Sequence, residues 1–550
     1  MNELSIFTVQ NNPIVGNIQY NLELAKEEIL KGYKEKADLV VFSECFITGY
    51  SVEDLVFNDD FLKEAHDAVL NLRDFIVNNK LPAIIIGSPY KDYGKIYNSG
   101  FFIEDTGIIH RVDKHQLPNY GVFDEKRHFT EGSVPNPITY KGFNIGLLIC
   151  EDIWFDTGAW NLGKADAHVI ISINGSPFEI NKDERRKEVI YKRVINSGTP
   201  VIYVNQFGGQ DEIVYDGGSF AYDKNDGVIV QNNFFAPDNM LIKVSKNKKL
   251  TKGKVSNNNI PSKNEMIYSA LVLGLRDYVN KNGFPGVVLG VSGGIDSALA
   301  ATIAVDALGN DRVWGIMMPY KYTSDESLKD AKDLTDNLNM KYNIVPIHEV
   351  IEQEKKLLKG LFNEDVTGIT LENLQARERG KILMAASNKT GYLVLATGNK
   401  SEFSVGYATL YGDMCGGYSP LKDVYKTTVF ELSKFRNECK PLIALGSNNI
   451  CVPENTITRP PSAELSEDQK DTDSLPDYDT LDAILKSLIE NSGNINLTDY
   501  DNNIVNKVRS MLFKAEYKRR QAAPGIKITP MQFGTDRRYP ITNGFNVNRN

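Results

Sequence analysis

The chain has 550 residues, 41% of them apolar, and a formal charge of −9 at neutral pH. That length is enough for two or three domains with sizeable cores, and the acidic balance excludes a general nucleic-acid scaffold. Five cysteines (Cys45, Cys150, Cys415, Cys439, Cys451) form no CxxC pair and no disulfide pattern, the start "MNELSIFTVQNNPIVG" lacks a signal-peptide layout, and no apolar run approaches the ~20 residues that span a bilayer. A soluble cytoplasmic protein is expected. In chain order, "NLELAKEEILKGYKEKA" (21–37) predicts a helix and "DLVVF" (38–42) and "AIIIG" (83–87) predict buried strands. Further strands are expected at 145–150, 169–173 and 201–204, with a helix at 183–195, which together suggest an α/β sandwich.

The polar stretch "SKNKKLTKGKVSNNNIPSKN" (245–264) divides the chain into two blocks, 1–245 and 265–550, joined by a linker over 246–264. The second block alternates helix 266–281, strand 287–291, helix 296–308, strand 313–317, helix 325–339 and strand 342–347. Helices then run to about 389, followed by a strand at 392–396. Strands joined by helices imply a mostly parallel, doubly wound sheet. After about 455 the chain is rich in Pro, Asp and Arg and reads as loops over the core, with one helix at 503–520.

"VVLGVSGGIDSALA" (287–300) places two glycines where a strand meets a helix. Glycines allow a sharp turn and close approach to a ligand, and a helix N-terminus favours an anion. The loop has neither the Gly-Lys-Ser/Thr of a Walker motif nor GxGxxG spacing, so neither γ-phosphoryl transfer nor a redox NAD site is implied. Asp296 makes sense there if Mg²⁺ sits between its carboxylate and a pyrophosphate. The run Ser292-Gly293-Gly294-Ile295-Asp296-Ser297 resembles the loop of ATP pyrophosphatases, which adenylate a substrate and release pyrophosphate.

In the first block Cys150 ends the run "FNIGLLIC", Glu44 follows "DLVVFS", and Lys114 lies in "RVDKHQLPNYGVFDEKRHF". Taken singly, these read as a core thiol, a salt-bridge partner and a solvated lysine. Cys45, beside Glu44, is a competing thiol whose neighbours resemble core. Jointly, "FSECFITGY", "KHQLPNYGVFDEKRHF" and "CEDIW" resemble the nitrilase-type amidases, carbon–nitrogen hydrolases with an αββα sandwich and a Glu-Lys-Cys triad. Glu44 would then be the general base, Lys114 the charge stabiliser and Cys150 the nucleophile, with Glu125 supporting the lysine.

Both blocks in one chain resemble the glutamine-dependent NAD synthetases. "YVNQFGGQDEIVYDGGS" (203–219), "TGNKSEFSVGYATLYGDMCGGYSPLKD" (397–423) and "RPPSAELSEDQKDTDSLPDY" (459–478) carry this likeness; Cys415, where a small residue is common, and Thr458 depart from it. The resemblance implies two steps: ATP adenylates deamido-NAD, and ammonia from glutamine, passed through an internal tunnel, displaces AMP. It also implies residue roles. Tyr120, Ser176 and Lys182 would hold glutamine. Gly290, Ser292, Gly293, Gly294, Asp296, Ser297 and Thr397 would hold ATP. Asn373, Glu402, Asp413, Lys426 and Lys514 would meet deamido-NAD or the phosphates, and Asp296 and Glu402 would bind Mg²⁺; whether Glu402 serves metal or substrate stays open. The alternatives, weighed below the site roles, are a helix-surface residue for Asn373 and a turn residue for Asp413. No redox cofactor is expected, and a homodimer or homo-octamer is implied. Other amidotransferases of the pyrophosphatase class carry a different glutaminase; position 2 is not Cys, and the six histidines show no catalytic pattern.

Overall fold

The computed structural model describes residues 2–252, 260–467, 469–490 and 496–544. The chain falls into two compact units, Met1–Gln210 with Val214–Pro261, and Asp211–Ile213 with Ser262–Asn550. Part of the expected linker, 253–259, lies outside the described residues, whereas Leu250–Lys252 forms a strand paired to Ile242–Val244.

The first unit is built on a seven-stranded and a six-stranded sheet. Side chains alternate along each strand, so one strand serves two cores. Leu39 and Val41 face a core shared with Leu147, Ile149, Ile171 and Val204 of the other sheet. Val40, between them, turns outward and packs with Ile29 and Leu72 of the helices Ile18–Lys34 and Asp59–Asn79. On the six-stranded sheet Leu148 and Ile170 face outward onto the helices Asp156–Lys164 and Lys182–Ser197. Helix, sheet, sheet and helix thus stack in the αββα order implied by the resemblance.

The second unit holds a four-stranded parallel sheet in the order Lys341–Ile344, Val313–Met317, Val287–Gly290, Leu393–Leu395. The connections run one way from the strand Val287–Gly290 and then reverse to the strand Leu393–Leu395. That reversal opens a crevice at the carboxyl ends of these two strands, where open α/β sheets bind ligands. The tail corrects two expectations. It holds a second long helix beside its loops: Tyr478–Glu490 packs Leu481, Ile484, Leu485 and Ile489 into a core with Val505, Val508 and Leu512. The helix expected over 503–520 is two pieces, Asn502–Lys514 and Glu516–Arg519. The apolar spacing of 481–489 has helical period, and the flanking Asp and Pro residues hid it.

One close approach positions the first site. A Cβ on Gly87 would lie 2.2 Å from the backbone nitrogen of Cys45 and 2.8 Å from the Glu44 backbone. Only a residue without a side chain lets the strand Ala83–Asp92 pass so near the turn that presents Glu44. Gly87→Ala is therefore expected to lower the stability of the first unit by about 1–3 kcal/mol, because the strand or the Glu44 turn must shift. Urea unfolding followed by circular dichroism checks this.

Candidate active site

Glu44 and Lys114 both come from the ends of strands in the seven-stranded sheet, Leu39–Val41 and Ile109–Asp113, whereas Cys150 follows Phe143–Ile149 in the opposing sheet. Lys114 Nζ donates to Glu44 Oε1 at 2.7 Å and to Glu125 Oε1 at 2.9 Å. Glu44 and Lys114 are fully buried. Glu44 is further held by Asn98 Nδ2, which donates to its Oε1 at 2.8 Å, and by the backbone N–H of Gly175, which donates to its Oε2 at 2.7 Å. The Tyr50 hydroxyl donates to Glu125 Oε1 at 2.7 Å. Buried charges persist when paired and hydrogen-bonded; all three are paired, and of their oxygens Glu125 Oε2 is buried with no hydrogen-bond partner.

Cys150 is buried and sits at φ +45°, in the left-handed region that side chains other than glycine's seldom adopt. Such strain persists only where surrounding structure over-determines it, and it clusters at functional sites. Burial pushes its thiol up, the Glu44 charge pushes it further, and Lys114 pulls it back. The resting form is therefore a neutral thiol beside a carboxylate able to take its proton. Burial works against the Lys114 ammonium, but Glu125 and Glu44 outweigh it and hold its pKa well above the usual lysine range. Burial raises the Glu125 carboxyl, with Lys114 opposing. Cys45 is core: its thiol donates to Asn98 Oδ1 at 3.4 Å, and burial raises it as well.

Around this centre, the Tyr120 hydroxyl donates to both oxygens of Glu151 at 3.0 Å. Ser176 is buried, and its Oγ accepts from Arg186 Nε at 3.2 Å. Arg186 is itself paired with Asp216 at 2.8 Å. Lys182 begins the helix Lys182–Ser197, and its ammonium lies 5.9 Å from the Phe123 ring centroid. Burial, then the Arg186 guanidinium, bring the Lys182 pKa down to about 8.

In the second unit the glycine loop joins the strand Val287–Gly290 to the helix Ile295–Leu308. Gly293 takes φ +84°, and a Cβ there would lie 2.4 Å from the Ser327 carbonyl oxygen. Ser297 Oγ accepts from the Ser292 backbone N–H at 3.2 Å, donates to the Gly294 carbonyl at 3.0 Å and contacts Ser292 Oγ at 3.1 Å, closing the turn. No side chain caps the helix, which leaves its first amides to a ligand. Two clefts of about 250 and 230 Å³ meet here, sharing Ser292, Thr397, Asp413 and Glu464.

Asp296 is held from two sides. Asn399 Nδ2 donates to its Oδ1 at 2.8 Å, and Lys426 Nζ pairs with its Oδ2. Lys426 also reaches Glu402 Oε1 at 3.3 Å. Burial raises the Glu402 carboxyl, with Lys426 opposing and Asp296 adding to the rise. Asn373 Oδ1 accepts from Thr409 Oγ1 at 2.9 Å, and the Thr409 backbone N–H donates to Asp413, so these two predicted residues meet at one threonine. Lys514 is not brought in: it is exposed at the end of its helix and lines neither cleft. One turn on, Lys518 donates to the carbonyls of Gly406 and Ala408 at 2.8 and 2.7 Å.

Residues 7–246 match the carbon–nitrogen hydrolase family model, and residues 267–522 match the NAD synthase model. Over 549 residues, 99% of each chain, the sequence is 41% identical to the glutamine-dependent NAD(+) synthetase of Acinetobacter baylyi. The chain belongs to the glutamine-dependent NAD(+) synthetase family. The Rhodobacter capsulatus member is 42% identical over 98% of each chain. A solved glutamine-dependent NAD+ synthetase from Acinetobacter baumannii, in complex with ADP, is 39% identical, with TM-score 0.79 over 99% of this chain and 100% of that one. The Cytophaga hutchinsonii enzyme, 21% identical with TM-score 0.81 over 98% of both chains, shares the fold.

Against the family reading, several residues stood outside the expected site. Glu151 and Asp152 follow the thiol in "CEDIW", and only the fold shows that their carboxylates point to Tyr120 and to the backbone after Lys114. Asn399, fully buried, holds Asp296, and Glu464 lines both clefts, accepting from Ser324 and Ser327 hydroxyls at 2.8 Å. Their sequence signal was presence in runs characteristic of NAD synthetases, "TGNKSE" and "RPPSAEL".

Proposed function

We propose that this chain makes NAD from deamido-NAD, ATP and glutamine, releasing AMP, pyrophosphate and glutamate. The observation that carries the reading is that a buried Glu44–Lys114 pair beside the Cys150 thiol and an uncapped glycine turn beside Asp296 occur in one chain of this family.

In the first reaction Glu44 takes the proton of Cys150 as sulfur attacks the glutamine carboxamide carbon. Lys114 stabilises the charge that develops on oxygen. The C–N bond then breaks, Glu44 returns its proton to the leaving nitrogen, and ammonia departs from a thioester. Water, deprotonated by Glu44, cleaves the thioester to glutamate. Free L-glutamine presents an ammonium and a carboxylate. Glu151, with Tyr120, fits the former, and Lys182, near Ser176, fits the latter. Ammonia kept from bulk water stays unprotonated and nucleophilic.

In the second reaction the nicotinate carboxylate attacks the α-phosphorus of ATP, pyrophosphate leaves, and ammonia then displaces AMP. The Gly290–Ser297 turn would receive the phosphates, with Thr397 at the cleft they share. Asp296 and Glu402 are hard oxygen donors of the kind that hold Mg²⁺ together with nucleotide phosphates. Asp296 and Glu402 would hold such an ion, and Lys426 is the counter-charge paired with both carboxylates. When bound, the ion would offset the charge of the departing pyrophosphate. Asn373, Asp413 and Lys426 remain the residues proposed for deamido-NAD or the phosphates; Lys514, exposed and outside both clefts, is dropped from that set. Blocks 1–245 and 265–550 would thus divide the labour.

A homo-oligomer, a dimer or an octamer, is supported by the apolar face around the helix His348–Phe362, where Leu357, Leu361 and Ile369 stand 77%, 69% and 73% exposed. No helix among the described residues is long and apolar enough to cross a membrane, and five free thiols suit a cytoplasmic setting.

Cys150→Ala should abolish glutamine-driven synthesis, by about 10⁴-fold or more, and leave synthesis from ammonium salts intact; NAD formation with each nitrogen source checks this. Asp296→Asn should lower synthesis from both sources by about 10²-fold, seen as reduced pyrophosphate release. Lys182 must be protonated to hold a carboxylate, and it loses its proton above about 8. KM for glutamine is therefore expected to rise as pH climbs past that value while kcat holds. Lys182→Arg should move the rise to higher pH, as read from KM measured across the alkaline range.

A further inference from the structure

We infer that Asp152 is a positioning residue for glutamine hydrolysis, a buried carboxylate that ties the strand end bearing Cys150 to the strand end bearing Lys114. This rests on the reading of Cys150 as nucleophile and Lys114 as its charge partner.

The two groups arise on different sheets. Lys114 follows a strand of the seven-stranded sheet, and Cys150 follows a strand of the six-stranded one. Between the sheets the core is apolar, with Val41, Ile85, Leu147, Ile149 and Ile171 in one cluster with Phe102 and Phe143. Apolar burial is non-directional and sets spacing but not register. A displacement of about 1 Å between reacting groups can cost about 10²-fold in rate, so the site needs a directional tie between the sheets.

Asp152 supplies one. It is 2% exposed and is the third residue of the short turn Cys150–Trp154. Its Oδ2 accepts the backbone N–H of Ile149 at 3.0 Å, immediately before Cys150. Its Oδ1 accepts the N–H groups of His115 at 3.0 Å and Gln116 at 2.7 Å, immediately after Lys114. One side chain thus grips the backbone on both sides of the reaction centre. Both oxygens are taken by amides, so Asp152 offers substrate neither a base nor a binding group. Burial lifts its carboxyl to about 6 against the pull of the three N–H donors and Lys114. At neutral pH it is ionised, and its bonds are charge-assisted.

An amide cannot reproduce this grip. In Asp152→Asn the single carbonyl oxygen can serve Ile149 or the His115–Gln116 pair, and the NH₂ group then faces the donors at the other end. The full chain carrying this substitution is expected to keep its unfolding midpoint to within a few degrees, its ammonia-driven NAD synthesis and, within about twofold, its KM for glutamine. Its kcat for glutamine hydrolysis should fall about 10–100-fold. Alkylation of Cys150 by iodoacetamide, followed by peptide mass spectrometry, should slow comparably. Asp152→Ser, too short to reach His115 or Gln116, should behave alike and stands in if the first variant folds poorly. Wild-type kcat and alkylation, a loss confined to KM, or an equal loss of ammonia-driven synthesis would each overturn the inference. Cys150→Ala assayed in parallel separates the two readings: if it still hydrolyses glutamine, the nucleophile assignment itself fails.

Discussion

A lysine fully shielded from water between two glutamates is the constraint on which the first unit depends. Removing an ammonium and two carboxylates from solvent is costly, and their attraction compensates only when geometry and further hydrogen bonds are supplied. Lys114 has Glu44 and Glu125 within 2.9 Å, and Asn98, Gly175 and Tyr50 supply the remaining donors. Each of these groups comes from a different part of the sandwich. The buried cluster can exist only if both sheets, the Glu44 turn and the loop carrying Glu125 are correctly assembled. Burial, and then the Glu44 charge, favour the protonated form of the Cys150 thiol.

The second unit meets a related difficulty differently. Its acidic residues face open clefts rather than a closed core, and Lys426 serves as their counter-charge. The parallel sheet reverses its winding between the strands Val287–Gly290 and Leu393–Leu395, and the serine-closed turn lies at that point. Under the proposed function, phosphate recognition would come from backbone amides at this helix start, with the carboxylates of Asp296 and Glu402 as the groups that would meet a cation. The two units thus differ in environment: paired, buried charges surround the Cys150 thiol, whereas open polar clefts adjoin the glycine turn.

Much of this was legible in the sequence where periodicity was strong. The strands 313–317 and 169–173 stand almost where the apolar runs put them, as does the helix 296–308. Glu44, Lys114, Glu125 and Cys150 converge although they are far apart in the chain; spacing alone does not reveal this, and the family likeness supplied it. What stayed hidden had physical reasons. The strand Lys95–Ile103 pairs with Ala83–Asp92 across a two-residue turn, Tyr93-Gly94, at the end of a largely polar stretch. The helix Tyr478–Glu490 lies behind an Asp- and Pro-rich segment that resembles loop. Asp152 bonds only backbone, so its partners depend on how two sheets face one another, which no local pattern encodes. Lys514 was drawn in by motif position, yet its side chain points to solvent, at the last position of its helix.

Acid-quench mass spectrometry of the enzyme mixed rapidly with glutamine tests the central claim most directly. The account predicts a glutamyl thioester on the peptide carrying Cys150, appearing before free glutamate and cleared as glutamine runs out. Steady glutamate release with no adduct on that peptide, or with the adduct on Cys45, would contradict it.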